Sequence, residues 1–254
     1  MLDGKVAIVT GAAHPAGIGY AVARAFAASG ARVVIVDLDA AACETAAAAI
    51  ASDHPALGGP RALGMAADVR DKAALAAIVE RTIVEFGRLD ILVNNAGIAQ
   101  ARKLLDISDD DWDATLDINL RGMLNMAQAA IPRMEDGGAI ICLASIAAQR
   151  GGGLLGGPHY AASKGGVLAL AKSMARELGP RNIRVNCVNP GIIITQMNAT
   201  AFDEATQRRF LEGIPLGRFG APKDVANVCL FLASPLSGYI TGSAIDINGG
   251  MHIH

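Results

Sequence analysis

The chain has 254 residues, of which 52% are hydrophobic and 18% charged, with a formal net charge of −2. That length and apolar share suit one large α/β domain with a sizeable core, and they exclude a disordered polyelectrolyte. No basic cluster is present, which argues against nucleic acid or an anionic membrane as the main partner. No apolar run reaches about 18 residues and no basic leader precedes an apolar one, so a soluble, cytoplasmic protein is expected.

The elements alternate along the chain. "KVAIVT" (5–10) reads as a strand, followed by a helix near 17–29 and the strand "RVVIVD" (32–37). An alanine-rich helix (39–51) leads to the strand "ALGMAA" (62–67), a helix over 71–86 and the strand "DILVNN" (90–95). A helix over 109–133, the strand "AIICLA" (139–144), a helix over 160–178 and the strand "IRVNCV" (183–188) follow. The segment 191–215 reads as irregular and lies where a substrate lid would sit. A helix over 223–233 and the strand "AIDIN" (244–248) end the chain. Several strands are continuous apolar runs, as expected when helices cover both sheet faces. The pattern predicts one domain over 1–254, a Rossmann-type, doubly wound, parallel seven-stranded sheet with helices on both faces.

The turn "TGAAHPAGIG" stands between the first strand and the first helix. Glycine there permits tight turning and lets backbone N–H groups approach a pyrophosphate, which the positive helix N-terminus also favours. Glycines also end strands for purely structural reasons, so the turn alone is a weak signal. Its place after the first strand, and the acid Asp37 ending the second, point to a dinucleotide. No lysine follows these glycines, which disfavours a nucleotide-hydrolysing P-loop.

In "GGPHYAASKGG" (156–166), Tyr160 and Lys164 are four residues apart, on one face if the segment is helical. Alone, the pair could be chance on an amphipathic helix edge. The scattered Cys43, Cys142, Cys187 and Cys229 read as reduced, buried thiols, and the dispersed histidines give no metal site.

Taken together, "TG…GIG" (10–19), "DV" (68–69), "NNAG" (94–97), Asn119 in "LDINLRG", Ser145 ending "ICLAS", "YAASK" (160–164) and "NPGIIIT" (189–195) carry a resemblance. The chain resembles the short-chain dehydrogenase/reductase family over essentially its full length. The resemblance implies a catalytic set of Asn119, Ser145, Tyr160 and Lys164, with Tyr160 as acid/base. It implies cofactor contacts from Gly11, Gly17, Ile18, Gly19, Asp37, Asp68 and Val69, then from Asn95, Ala96 and Gly97. Tyr160, Lys164, Pro190, Gly191, Ile193 and Thr195 complete that set, and a small-molecule substrate is expected. It also implies a homotetramer built through the late helices and last strand, consistent with the apolar C-terminal stretch "GYITGSAIDINGGMHIH".

Hydride exchange between a secondary alcohol and a nicotinamide needs a group that takes or gives the hydroxyl proton. A free phenol ionises near about 10, too high for an efficient base at neutrality, and a nearby ammonium would lower it. Lys164 is expected to do this and to bond the cofactor ribose. Ser145 would orient the substrate oxygen, and Asn119 would hold a water linking Lys164 to solvent.

Other roles stay open for several of these residues. Asn119 could be a satisfied helix residue, and Ser145 could simply end its strand. Asp68 stands either beside the adenine or as the N-cap of the following helix. Asn94 is expected to tether strands. Thr195 could bond the carboxamide or belong to an apolar strand exit, and Met197 and Phe202 are expected to pack in the lid. His159 is expected to have no catalytic role, since the set already supplies a proton path.

Two features depart from the family. Five residues separate Gly11 from Gly17, two more than usual, so His14 and Pro15 are expected to bulge outward. Ser145 and Tyr160 are fifteen apart, about two more than usual, with the surplus in "RGGGLLGGP".

The leading expectation is an NAD-dependent dehydrogenase of alcohols, polyols or sugars, or the reverse carbonyl reductase. Asp37 carries the choice of NAD, because no arginine stands at 38–42 and the glycine turn offers only His14. An NADPH-dependent 3-oxoacyl-thioester reductase is the alternative within the fold. A catalytically silent nucleotide sensor is the alternative of another class.

Overall fold

Val6–Thr10 (β1) is buried along its whole length, with Ala7 and Val9 entering one core and Val6 and Ile8 the other. A strand buried on both faces needs helices above and below, which the crossovers of a parallel sheet supply. The computed structural model describes residues 1–53, 62–152, 156–195 and 203–253. After β1 come β2 (Arg32–Asp37), β3 (Ala62–Ala66), β4 (Ile91–Asn94), β5 (Ala139–Leu143), β6 (Arg184–Pro190) and β7 (Ala244–Ile247). They form one seven-stranded sheet in the order β3-β2-β1-β4-β5-β6-β7, and every neighbouring pair is parallel. This is the doubly wound sheet expected from the sequence.

The helices are α1 (Ile18–Ala28), α2 (Ala40–Ser52), α3 (Lys72–Phe86), α4 (Asp109–Leu116), α5 (Gly122–Ala130), α6 (Ala147–Arg150), α7 (Pro158–Leu178), α8 (Glu204–Glu212) and α9 (Pro222–Ala233). On one sheet face, Val22 and Phe26 of α1, Cys43 of α2 and Val225 of α9 pack against β1 and β2. On the other, Leu75 and Ile78 of α3, Met126 of α5 and Val167 of α7 close the second core. The chain leaves β1 for β2 on one side and pairs it with β4 on the other. That reversal opens a crevice at the carboxyl ends of these strands, where Thr10, Gly11, Asn94 and Asn95 lie.

Four expectations need adjustment. The single helix over 109–133 is α4, a π turn over Asp117–Arg121, α5 and a 3-10 turn over Ile131–Arg133. α7 starts two residues early, at Pro158, whose fixed φ and missing N–H suit the first helical turn. The N-cap of α3 is Asp71, whose carboxylate accepts from the Ala73 and Ala74 N–H groups at 2.9 and 3.0 Å. Asp68 is therefore not that cap. The segment 191–215 is not wholly irregular, because it contains α8, capped by Asp203, which accepts from the Thr206 N–H at 2.8 Å. α8 buries no residue fully, and only Ala205, Phe210 and Leu211 of its nine residues are apolar, which made a short, weak signal in the sequence. Met197 and Phe202 lie outside the described residues. All four cysteines are free and buried, as expected.

Candidate active site

The ends of β1 and β4 are laced together. The Thr10 hydroxyl oxygen accepts from the Asn95 and Ala96 N–H groups, each at 3.1 Å. The Asn95 side-chain amide returns two bonds, to the Thr10 and Gly11 carbonyls at 2.9 and 2.8 Å. Gly11 has φ +64°, and a Cβ there would stand 2.8 Å from the Ala96 Cα, so only glycine fits. A Cβ on Gly19 would strike the Gly11 carbonyl oxygen and stand 2.6 Å from Asn95 Nδ2. Asn95 is thus a brace for the glycine turn.

Gly17 caps α1 through its backbone alone, and no acidic residue occupies the first turn. The leading N–H groups of a helix have no partner within it, so Ile18 and Gly19 present donors and partial positive charge at the crevice. His14, Pro15 and Ala16 are exposed, while Ala12 and Ala13 are buried. The extra residues form an outward turn closed by the Gly17 N–H donating to the His14 carbonyl at 2.8 Å. The expected bulge is present and leaves Gly17 and Gly19 in place.

Asp37 ends β2 beside this turn, half-buried, and accepts from the Ala13 N–H at 3.1 Å and the Leu38 N–H at 2.9 Å. Asp68 is gripped by Arg70, whose guanidinium donates to both carboxylate oxygens, and this bond holds Asp68 below the usual carboxylate range. The neighbouring Val69 is buried, and its carbonyl accepts from Asn125 Nδ2 at 3.1 Å. An acid-free helix N-terminus, a glycine cradle and a carboxylate at the tip of β2 are a donor set that could hold a dinucleotide.

The reactive-end residues converge from three elements. Ser145 follows β5, Tyr160 and Lys164 stand on α7, and Asn119 stands on the π turn. The Ser145 hydroxyl accepts from the Ala147 N–H at 3.1 Å and lies beside the Tyr160 phenol, where it favours the ionised form. Lys164 Nζ lies 5.9 Å from the centroid of the Tyr160 ring and donates to the Leu143 carbonyl at 2.7 Å.

The electrostatics differ from the expected ones. Burial raises the Tyr160 phenol, and the neighbouring Ser145 hydroxyl works in the lowering direction. Burial also brings Lys164 down, to about 8. The expected lowering of the phenol by the ammonium is absent here. Lys164 serves a backbone carbonyl instead, and the low-dielectric surroundings disfavour both charged forms.

Asn119 is buried and its amide hydrogens are both donated. Its Oδ1 accepts from the Ile98 N–H at 2.8 Å, and its Nδ2 donates to the Ile98 carbonyl at 2.9 Å and to Ser163 Oγ at 3.0 Å. Its Oδ1 has one lone pair left, which a water can use. Beside it lies a cavity of about 10 Å³, lined by Thr10, Asn94, Ala96, Asn119, Leu143 and Lys164. That volume and polar lining match one water molecule. Asn94 Nδ2 has no hydrogen-bond partner among the described residues, so its amide does not tether a neighbouring strand through that atom. A Cβ on Gly97 would stand 3.0 Å from Asn119 Oδ1 and 3.4 Å from Lys164 Nζ, which explains the bare position.

Pro190 ends β6 and its carbonyl accepts from the Ile146 N–H at 3.0 Å, joining the strand to the residue after Ser145. The Gly191 N–H donates to the Ile247 carbonyl at 2.9 Å, and Ile193 bridges in parallel to Gly220. Thr195, half-buried, is the last described residue before 203. Sequence reasoning passed over Thr10 and Ser163 as bracing side chains and the Leu143 carbonyl as the anchor of Lys164. The first two lie inside quoted motifs, whereas a backbone carbonyl leaves no mark in a sequence. Among the described residues there is no metal-binding cluster, and no helix is long and apolar enough to cross a membrane.

A family model described as "Enoyl-(Acyl carrier protein) reductase" matches residues 11–252. The chain is 49% identical to "Uncharacterized short-chain type dehydrogenase/reductase y4mP" of Sinorhizobium fredii, covering 100% of both chains. It is 43% identical to the D-threitol dehydrogenase of Mycolicibacterium smegmatis, over 99% of this chain and 94% of that one. It is 40% identical to the 3-oxoacyl-[acyl-carrier-protein] reductase FabG of Thermotoga maritima, over 99% of both. Among solved structures, a glucose/ribitol dehydrogenase-type short-chain dehydrogenase/reductase of Brucella melitensis matches with a TM-score of 0.91 and 35% identity, covering 100% of this chain and 98% of that one. A blue fluorescent protein from a metagenomic library, in complex with NADPH, matches with a TM-score of 0.89 and 39% identity over 99% of both chains. With its parallel sheet, its laced glycine crevice and these full-length likenesses, the chain belongs to the short-chain dehydrogenase/reductase family, oxidoreductases that bind NAD(P) and act on CH–OH groups.

Proposed function

We propose that this protein is an NAD-dependent dehydrogenase of secondary alcohols of the polyol, sugar or hydroxy-compound class, or the carbonyl reductase of the reverse direction. The observation that carries the chemistry is the convergence of Ser145, Tyr160 and Lys164, with the Ser145 hydroxyl beside the Tyr160 phenol and Lys164 Nζ 5.9 Å from the centroid of its ring. Likeness to the D-threitol dehydrogenase supports the polyol class. The nicotinamide supplies or accepts the hydride.

The chain's own residues handle the proton. In the oxidative direction the Tyr160 oxygen takes the hydroxyl proton as the carbinol C–H bond breaks, and in the reductive direction it returns it. Ser145 donates to or accepts from the same substrate oxygen and fixes its distance from Tyr160. Lys164 stabilises the phenolate when substrate draws the proton equilibrium toward it. Asn119 acts through Ile98 and Ser163, and the one-water cavity between Asn94, Asn119 and Lys164 continues the proton route. Asp37 accepts from the adenosine ribose hydroxyls and disfavours a 2′-phosphate by like charge. Asp68 and Val69 would hold the adenine end of the cofactor, and Gly97, Pro190 and Thr195 would line the place of its nicotinamide.

The likeness to 3-oxoacyl reductases supports a second reading, an NADPH-dependent 3-oxoacyl-thioester reductase. Turnover of D-threitol, ribitol, glucose, a 3-hydroxy acid and acetoacetyl-CoA with each cofactor separates the two. Oxidation of a polyol or sugar with NAD is the expected result. Reduction of acetoacetyl-CoA with NADPH, and of nothing else, would replace it by the second reading. Cofactor binding without turnover of any compound would favour a nucleotide sensor.

A further inference from the structure

Two sets of contacts clamp the segment after β4 onto α7, and one of them involves no residue placed in the site above. The first runs through Asn119, which ties Ile98 to Ser163, whose hydroxyl in turn donates to the Tyr160 carbonyl at 2.7 Å. The second is built on Gln100. Its backbone carbonyl accepts from the Gly157 N–H at 2.9 Å. Its side-chain Oε1 accepts from the Thr115 hydroxyl at 3.1 Å and stands 3.2 Å from His159 Nε2.

Gly157 is the N-cap of α7 and offers no side-chain cap, so its bond to Gln100 fixes where the helix begins. His159 and Thr115 are both fully buried. An amide oxygen only accepts, so His159 Nε2 carries its proton and donates, leaving Nδ1 without a partner among the described residues. The ring is held tightly. A Cβ on Gly157 would stand 2.9 Å from both His159 Nδ1 and Cε1.

Tyr160 follows His159 in the first turn of α7, and the sequence leading into that turn is rich in glycine, at 151, 152, 153, 156 and 157. Glycine loses the most conformational freedom on ordering, so this approach does little to fix the turn. Gln100 holds the chain on one side of Tyr160 and the Asn119–Ser163 pair holds it on the other.

We propose that Gln100 and His159 are positioning residues that hold Tyr160 in register with Ser145. Neither touches the reacting atoms; they act through the start of α7. This inference rests on Tyr160 being the acid/base group, and the experiment separates the two ideas.

His159→Leu, His159→Gln, His159→Asn, Gln100→Leu and the Gln100→Leu/His159→Leu pair are compared with Tyr160→Phe. The assay is oxidation of the compound that the unmodified enzyme turns over in the panel above, unlabelled and deuterated at the carbinol carbon. Misplacing a catalytic group by an ångström costs up to about a hundredfold, so His159→Leu should lower kcat roughly tenfold or more. It should raise the deuterium isotope effect on kcat, while NADH affinity by fluorescence stays within about twofold. His159→Gln, whose amide reaches as far as Nε2, should restore kcat to within about threefold. The double variant should be no slower than the worse single one, since both break one contact.

Unchanged kcat and isotope effect in His159→Leu, with only the melting temperature lowered, would overturn the proposal. If that variant fails to fold, the pair His159→Gln and His159→Asn decides, because asparagine stops short of Gln100; equal kcat in the two would overturn it. Normal turnover in Tyr160→Phe would instead remove the acid/base reading itself. An inactive Tyr160→Phe beside a normal His159→Leu would remove the clamp alone.

Discussion

Lys164 donates from Nζ to the carbonyl of Leu143 at 2.7 Å, which anchors the ammonium to the last residue of β5, two positions before Ser145. The bond holds a charge in a buried place, and burial brings Lys164 from 10.5 down to about 8. Below the folded value both states carry the proton and the burial penalty is present in full. Between the two values the unfolded chain binds more protons, so stability rises with pH across that window. The shift corresponds to at most roughly 3 kcal/mol, with the Leu143 bond acting against it. Lys164→Met should therefore gain stability relative to the unmodified protein at neutral pH, and the gain should shrink toward pH 10. Urea unfolding of both proteins at several pH values checks this. A difference that stays constant with pH would show that Lys164 keeps its ordinary ionisation.

Tyr160→Phe keeps the half-buried ring and removes only the phenol oxygen beside Ser145. Cofactor affinity should stay near normal while kcat falls by at least about a hundredfold, the usual scale of acid/base catalysis. Steady-state turnover beside fluorescence titration of NADH checks it. Near-normal kcat would mean that another group moves the proton.

Asp37 accepts two backbone N–H groups and presents its carboxylate at the end of β2. A 2′-phosphate about 4 Å away would meet repulsion of about 4 kcal/mol per unit charge pair at an effective dielectric of 20, much of it screened by solvent. NAD should therefore exceed NADP in kcat/KM by at least about a hundredfold, which corresponds to under 3 kcal/mol. Asp37→Ala should narrow the gap mainly by improving NADP. Kinetics with both cofactors test it, and equal efficiency in the unmodified enzyme would show that Asp37 does not read the ribose.

Gly19 and Gly165 make a matched pair. At Gly19 a methyl would meet the Gly11 carbonyl and Asn95, atoms fixed by the lacing of β1 to β4. Gly19→Ala should lose about 1–3 kcal/mol of stability and weaken NADH binding. Gly165 lies within α7 with nothing within 4 Å of a Cβ. Gly165→Ala should be neutral or stabilise by up to about 1 kcal/mol through helix propensity. Thermal melts of the two variants give the comparison, and similar losses in both would show that the crevice is not rigid.

β7 is an edge strand with partly exposed residues, and Leu236, Tyr239 and Ile253 near it are strongly exposed. An uncovered parallel edge beside large apolar side chains invites a partner. A homotetramer is expected in which residues 246–254 lie at a subunit boundary. Light scattering at micromolar concentration measures the mass, and a monomer there would remove this expectation.

The strands were legible because burial on both faces writes itself as unbroken apolar runs, as in "VAIVT" and "AIICL". The glycine turn, Asp37, Ser145, Tyr160 and Lys164 were legible because their chemistry requires particular side chains at particular spacings. α8 was not, since only three of its nine residues are apolar and it is marked chiefly by its Asp203 cap. The break of the helix over 109–133 into a π turn at Asn119 was hidden as well, because local propensity does not encode it; the pull of Asn119 on Ile98 and Ser163 accompanies it. By itself the sequence determined which groups stand at the carboxyl ends of the strands. The tertiary structure alone decided their electrostatics. Lys164 turns to the Leu143 carbonyl, and at Tyr160 and Lys164 alike burial outweighs the attraction that spacing alone suggested, because desolvation depends on everything packed around a charge, not on its neighbours in the chain.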